Sequence, residues 1–211
     1  FYKTVQYYEL DRLAQYFRLF GFGKKTGIDI GKEYKGTIPN TDFMNKRFGR
    51  FGWSKGSLLN FCIGQGEILV TPIQVFNYVN LLATKGNSNS PHLVSSTKKD
   101  SENEIPLSSQ IWDRIIFDMG QVVSHAKGTG KNADPAIQGA KIYGKTGTAE
   151  NPHGEDHAWF IGWVKYEEKK FSIVVLLENS GSGGAVAAPL AKNVFDKIIL
   201  GINNSKQISM K

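Results

Sequence analysis

The sequence predicts a mixed α/β architecture of the α+β type, an antiparallel sheet meander packed with helices. Three observations predict it. Strand-like runs at 138–149, 159–166 and 171–178 follow one another through short polar connections. Helical periods stand before this cluster, and one more stands after it. With 211 residues and 40% hydrophobic side chains, the chain can bury a substantial core.

The elements follow in order. Over residues 4–20, Leu10, Leu13, Phe17 and Phe20 recur at helical spacing, and Gly21 and Gly23 stop the run. Gly27-Ile-Asp-Ile30 reads as extended, and turns follow through Gly31, Gly36 and Pro39. Residues 42–56, with Phe43, Lys46, Arg47, Phe48, Arg50, Phe51, Trp53 and Lys55, read as a basic, aromatic loop region. It could contact a polymer, but coverage of a core by Lys and Arg stems is the favoured reading. Gly64 and Gly66 mark tight backbone before Thr71-Pro-Ile-Gln74, where Thr71 is an N-cap and Gln74 its capping-box partner. That helix buries Ile73, Phe76, Val79, Leu82 and Ala83 and ends at Gly86.

Residues 87–106 are polar and mixed in charge, a surface excursion with a short strand at His92–Val94. A second helix, capped by Ser108 or Ser109, runs to about His125 with Ile111, Ile115, Met119 and Val122 inward, and Gly128-Thr-Gly130 breaks it. The meander turns at Glu167–Lys170. Ser180–Gly184 is a flexible link into a last helix over Val186–Leu200, with Pro189 tolerated in its first turn. The expected organisation is one domain over 1–202 with a frayed tail over 203–211.

A net charge of +7 and a pI near 9.4 favour polyanionic surroundings. The positive charge is spread, without the clustered basic and stacking side chains of a nucleic-acid site, so no nucleic-acid partner is expected. The single cysteine, Cys62, excludes an internal disulfide and reads as a packed small side chain. No apolar run reaches the length of a membrane span.

Gly139-Ala-Lys-Ile-Tyr-Gly-Lys-Thr146 fits both a phosphate loop and, through Lys145-Thr-Gly147, a motif of penicillin-binding proteins and class A β-lactamases. The phosphate-loop reading fails on context. The upstream segment is polar and broken by Pro135, the loop interior is strand-like, and Gly147, Pro152 and Gly154 deny it a following helix. On a strand, period two sets Lys145 and Gly147 on one side and Thr146 and Thr148 on the other. Two hydroxyls and a nearby cation suit capture of a peptide carboxylate. The missing side chain at Gly147 lets an extended ligand lie along the edge.

The blocks Phe20–Ile30, Ile63–Val75, Pro91–Val94, Gly144–Glu150 and His157–Trp163 stand in the order seen in class B penicillin-binding proteins. Over roughly residues 5–200 the sequence resembles their transpeptidase domain, the elongation-type members above all. The resemblance implies a partial fold of the penicillin-binding-protein/β-lactamase kind and a serine D,D-transpeptidase that cross-links peptidoglycan stem peptides. It implies that Lys145 supplies charge and aids proton transfer, that Thr146 and Thr148 bind the stem's terminal carboxylate, and that Gly147 completes the substrate-binding set between them. The Thr148 amide becomes an oxyanion donor, a contribution of roughly 3 kcal/mol in such sites. The implied partners are the stem peptide, β-lactam antibiotics and a membrane glycosyltransferase of the elongation machinery. No cofactor or metal is implied. The implied place is the periplasmic face of the inner membrane, with the anchor upstream.

The family's Ser-x-x-Lys and Ser-x-Asn motifs lack a convincing match. Ser95-x-x-Lys98, Ser96-x-x-Lys99 and Ser101-Glu-Asn103 fall in the polar excursion, and Ser124-x-x-Lys127 closes a helix. About one or two such matches arise by chance in a chain of this composition. Phe1-Tyr2 resembles the aromatic pair after Ser-x-Asn, so the chain is expected to begin just past that motif and to be inactive alone. A non-catalytic sensor or scaffold that binds stem peptide or β-lactam is the alternative. A carboxypeptidase or β-lactamase shares Lys-Thr-Gly, but the Gly64-Gln-Gly66 block speaks against it. His153, Glu155, Asp156 and His157 sit in a Pro/Gly loop, and rim-shaping is favoured over metal binding there. Trp159 and Trp163 read as core and rim aromatics.

Overall fold

The computed structural model describes residues 9–49, 52–54, 56–94 and 103–209. They form two compact units, Phe1–Leu81 with Gly86–Ile105, and Leu82–Lys85 with Pro106–Lys211.

The first unit is helical. Helix α1 spans Leu10–Leu19 and buries Leu10 and Ala14. The basic, aromatic stretch expected as loop holds helix α2 over Thr41–Phe48, and helix α3 over Gly56–Cys62 follows it. Helix α2 has a proper start and stop. The Asn40 side chain accepts from the Phe43 amide, and Gly49 takes positive φ at the C-terminal cap. Its apolar side is short, but Met44 joins Leu10, Leu58 and Phe61 in a core against which Phe43, Trp53 and Cys62 pack. This region therefore packs on a core, but through Phe43, Met44 and Trp53 rather than through Lys and Arg stems, since Lys46 and Arg47 are exposed. Arg50, Phe51 and Lys55 lie outside the described residues. The Cys62 thiol donates to the Leu58 carbonyl at 2.8 Å, and burial raises its pKa.

Helix α4, Pro72–Ala83, starts on the expected capping box. The Thr71 amide donates to Gln74 Oε1 at 2.9 Å, and the Gln74 amide donates to Thr71 Oγ1 at 3.3 Å. Gln74 does more than cap. At 1% exposure, its amide nitrogen donates to the Lys24 and Lys35 carbonyls at 2.7 and 2.8 Å, tying two loops to the helix start. We expect Gln74→Leu, which keeps the volume and removes the three bonds made by the side chain, to lower stability by about 3 kcal/mol or more. Urea unfolding against the parent chain measures it.

His92–Val94 is not a strand. Its place is set by the Asp29 carboxylate, which accepts from the Leu93 and Val94 amides at 2.7 and 2.9 Å, bonds that hold the Asp29 pKa below its ordinary value. The local ladder pairs Asn87–Ser88 (β1) with Asn103–Glu104 (β2) instead. Ser95, Ser96, Lys98, Lys99 and Ser101 lie outside the described residues, as does Phe1-Tyr2.

The second unit carries the meander. Strands β3 (Ala140–Ala149), β4 (His157–Tyr166) and β5 (Lys169–Leu177) pair antiparallel in that order. The tight β4–β5 turn holds Glu167 at a positive φ of 54°. Helix α5, Ser109–Ser124, buries Trp112, Met119 and Val123. Of the expected inner face, Met119 is buried and Ile115 and Val122 are half-buried, whereas Ile111 is exposed because the bulkier Trp112 takes the inward position. Ser108 is the N-cap by position, without a side-chain cap bond.

Helix α6, Ala188–Ser209, takes Pro189 in its first turn and lays Ala191, Phe195 and Ile199 on Phe160, Val164 and Val175 of the sheet. Each fully buried Phe or Ile contributes about 1.5–3 kcal/mol, so this seam outweighs any single cap in the unit. The helix runs through residues 203–209, where fraying was expected. Tyr166 Oη donates to Asn203 Oδ1 at 2.9 Å and holds that part against β4.

Candidate functional site

The candidate site is the far end of β3. Its register sets Thr146 opposite Phe160 and Thr148 opposite Ala158, so both threonines share the face that packs on α6 farther along the strand. Lys145 and Gly147, opposite Ile161 and Trp159, point to the other face. Among the described residues β3 has a strand neighbour on one side only, β4. Its other edge carries backbone groups that an extended peptide could pair with.

The four positions differ in environment. Lys145 and Thr148 are exposed, whereas Thr146 and Gly147 are half-buried. The Lys145 ammonium donates to the Thr146 carbonyl at 2.6 Å and has no carboxylate partner among the described residues. Partial burial of the ammonium end, on a residue exposed as a whole, lowers its pKa. The threonine hydroxyls are held from the side. Thr146 Oγ1 lies 2.8 Å from Thr129 Oγ1, and the Gly183 amide donates to Thr148 Oγ1 at 3.4 Å. A side chain at Gly147 would sit 3.2 Å from the Trp159 Cβ, so the space beside this glycine is narrow on the β4 side.

Two loops supply these supports, a role that the sequence reading assigned to neither, although the helix does end ahead of Gly128. Gly128-Thr-Gly130, taken as a helix break, brings Thr129 to the strand. The short 3₁₀ turn Lys131–Ala133 then places Asn132, whose side chain donates to the Gly184 carbonyl at 3.0 Å. Ser180–Gly184, taken as a flexible link, is pinned. The Ser180 and Gly181 amides donate to the Asp156 carbonyl at 2.9 and 3.0 Å, and a π-helical turn over Gly183–Ala187 leads into α6. Gly183 is buried, and any Cβ there would overlap the carbonyl oxygens of Trp159 and Gly147. The run of small residues from Ser180 to Gly184 was the only signal, and it points equally to a close approach.

The other candidates fall away from the ledge or into supporting roles. Ser124 lies at the end of α5, and its hydroxyl donates back to the Gly120 carbonyl at 3.0 Å. In the Pro/Gly loop, His157 Nδ1 accepts from the Asn179 amide at 3.0 Å, and Asn151 donates to Asn179 Oδ1 at 2.6 Å, a bracket joining the ends of the β3–β4 and β5–α6 connections. Trp163 is buried and stacks on Tyr143 with centroids 5.0 Å apart. A cavity of about 460 Å³, lined by Ile116, Phe117, Gly120, Lys141 and Tyr143, flanks the start of β3 and stops short of Lys145. No described helix is long and apolar enough to cross a membrane.

The family model of the penicillin binding protein transpeptidase domain matches residues 1–196. The peptidoglycan D,D-transpeptidase MrdA of Haemophilus influenzae is 34% identical over 221 residues, covering 93% of this chain and 34% of the relative. Among solved structures, PBP2 of Pseudomonas aeruginosa in complex with WCK 5153 superposes with a TM-score of 0.78 at 34% identity, covering 89% of this chain and 42% of that one. PBP2 of Helicobacter pylori in complex with MreC also gives 0.78, at 31% identity, covering 92% and 37%. The chain spans about a third of the length of the curated relatives it matches.

Proposed function

The chain belongs to the penicillin-binding protein transpeptidase family, and on that premise we propose that it forms the substrate-gripping part of a peptidoglycan D,D-transpeptidase used in cell-wall elongation. The observation that carries the reading is the ledge itself, Lys145–Thr148 on an open strand edge, with two hydroxyls on one face and an ammonium beside them. The stem peptide lies along β3, and its terminal carboxylate accepts from the Thr146 and Thr148 hydroxyls. A serine from a part of the protein outside these 211 residues attacks the carbonyl between the last two D-alanines. The tetrahedral oxyanion takes a hydrogen bond from the Thr148 amide, and the Lys145 charge stabilises it. The amide C–N bond breaks, the terminal D-alanine leaves with a proton, and an acyl-serine remains. An amine from a neighbouring stem displaces the serine and completes the cross-link. A β-lactam acylates the same serine because its ring amide and carboxylate occupy the same places.

Gly147 keeps its position on the strand free of a side chain. The protein works on the periplasmic face of the membrane, anchored through a segment outside this chain. Its partners there are a membrane glycosyltransferase and, as the H. pylori complex suggests for a relative, an MreC-like scaffold.

Fluorescent penicillin tests the reading on the full-length protein. A covalent label that unlabelled β-lactam blocks is the expected result. Saturable binding without a covalent label would favour the sensor or scaffold reading, and no binding at all would remove both.

A further inference from the structure

The hydrogen bond between Thr129 and Thr146 carries a consequence for the reaction. A threonine hydroxyl has one proton to donate and two lone pairs to accept with. At 2.8 Å one of these two hydroxyls donates to the other. If Thr146 is to donate its only proton to a substrate carboxylate, Thr129 must be the donor in this pair. The order is then Thr129 O–H to Thr146 Oγ1, and Thr146 O–H to the carboxylate. Such a chain polarises each successive bond in the same sense and fixes the rotor of the middle hydroxyl.

Thr129 is held where this requires it. Its neighbour Gly130 is buried and its amide donates to the Val122 carbonyl at 2.9 Å, which ties the loop to the last turn of α5. The Thr129 carbonyl sits where a Cβ on Gly184 would come within 2.6 Å, and Asn132 clips the same turn through the Gly184 carbonyl. The loop is thus pressed against the turn that also donates to Thr148. Thr129 itself is exposed, so its side chain is not there to fill a core.

We propose that Thr129 is a positioning residue for carboxylate capture, acting through the Thr146 hydroxyl as the outer donor of a two-hydroxyl relay. The proposal rests on the ledge reading above and goes beyond it by adding a residue from a separate loop.

The test uses the full-length protein and measures the second-order acylation rate by a penicillin and by its methyl ester. Thr129→Val keeps the shape and removes the hydroxyl, Thr129→Ser keeps the hydroxyl, and Thr146→Val removes the relay's middle member. Thr129→Val is expected to slow acylation by the free acid about 5- to 10-fold, the loss of one neutral hydrogen bond. The effect should appear in the binding constant rather than in the maximal acylation rate, Thr129→Ser should restore it, and the unfolding midpoint should not move. With the ester the penalty should shrink to near nothing. Added to Thr146→Val, the Thr129→Val change should cost little more, since the relay is already broken. An equal penalty for acid and ester, or an unchanged or faster rate with the acid, overturns the role of Thr129 while leaving the ledge in place. A Thr146→Val variant that acylates normally overturns the ledge reading itself.

Discussion

Lys145→Ala in the full-length protein is expected to lower the acylation rate by fluorescent penicillin about 10²–10³-fold with little change in stability. The magnitude is that of removing one preorganised electrostatic partner of a developing oxyanion. The stability expectation follows from the setting. Lys145 is exposed, has no carboxylate partner among the described residues, and gives its one hydrogen bond to the neighbouring Thr146 carbonyl. The pH profile supplies an independent check. Partial burial of the ammonium lowers its pKa from the ordinary 10.5. A step that needs the charged form proceeds below the folded pKa and fails as pH rises through it. The alkaline limb of the acylation profile should therefore lie below that of an ordinary lysine, and Lys145→Arg should move it upward. Normal labelling of Lys145→Ala would remove the role assigned to this residue.

Gly183→Ala should have the second large effect, and for a steric reason. The added methyl would overlap the carbonyl oxygens of Trp159 and Gly147, both main-chain atoms of paired strands that cannot swing aside. The turn must lift, which breaks the donation from the Gly183 amide to Thr148 and strains the Asn132 clip. A loss of about 1–3 kcal/mol in stability is expected, the usual scale of overpacking. A fall in acylation of tenfold or more should accompany it, since 1.4 kcal/mol of misplacement already corresponds to that factor. Gly201→Ala is the control. A Cβ at Gly201, within α6, meets nothing within 4 Å, so that change should raise stability by about 0.5–1 kcal/mol. Acylation should be unaffected. Similar behaviour of the two variants would show that Gly183 is replaceable.

The meander was legible because strand periodicity, short turns and β-branched residues agree over 140–177, and the strand bounds moved by only one or two positions. The α4 start was legible for the same kind of reason: Thr71 and Gln74 interact locally, and local chemistry can be read from neighbours in sequence. Helix α2 was hidden by the density of charge around Phe43 and Phe48, although Asn40 and Gly49 are ordinary helix boundaries, and α3 is a run of only seven residues ahead of Gly64. The wall of the site was hidden for another reason. Glycine runs look alike whether the backbone is loose or pressed against another chain segment, and only the register of β3 and β4 shows that Gly183 is pressed. Thr129 was out of reach, because its partner lies 17 residues away, past a 3₁₀ turn and a loop. Lys145–Thr148 could be singled out from sequence, but the loops that hold it could not.

The wall beside Thr148 is built from main chain at a position where only glycine fits. Because Gly183 is buried, a replacement there would act on the Thr148 support from within the fold, at a place that no bound molecule touches.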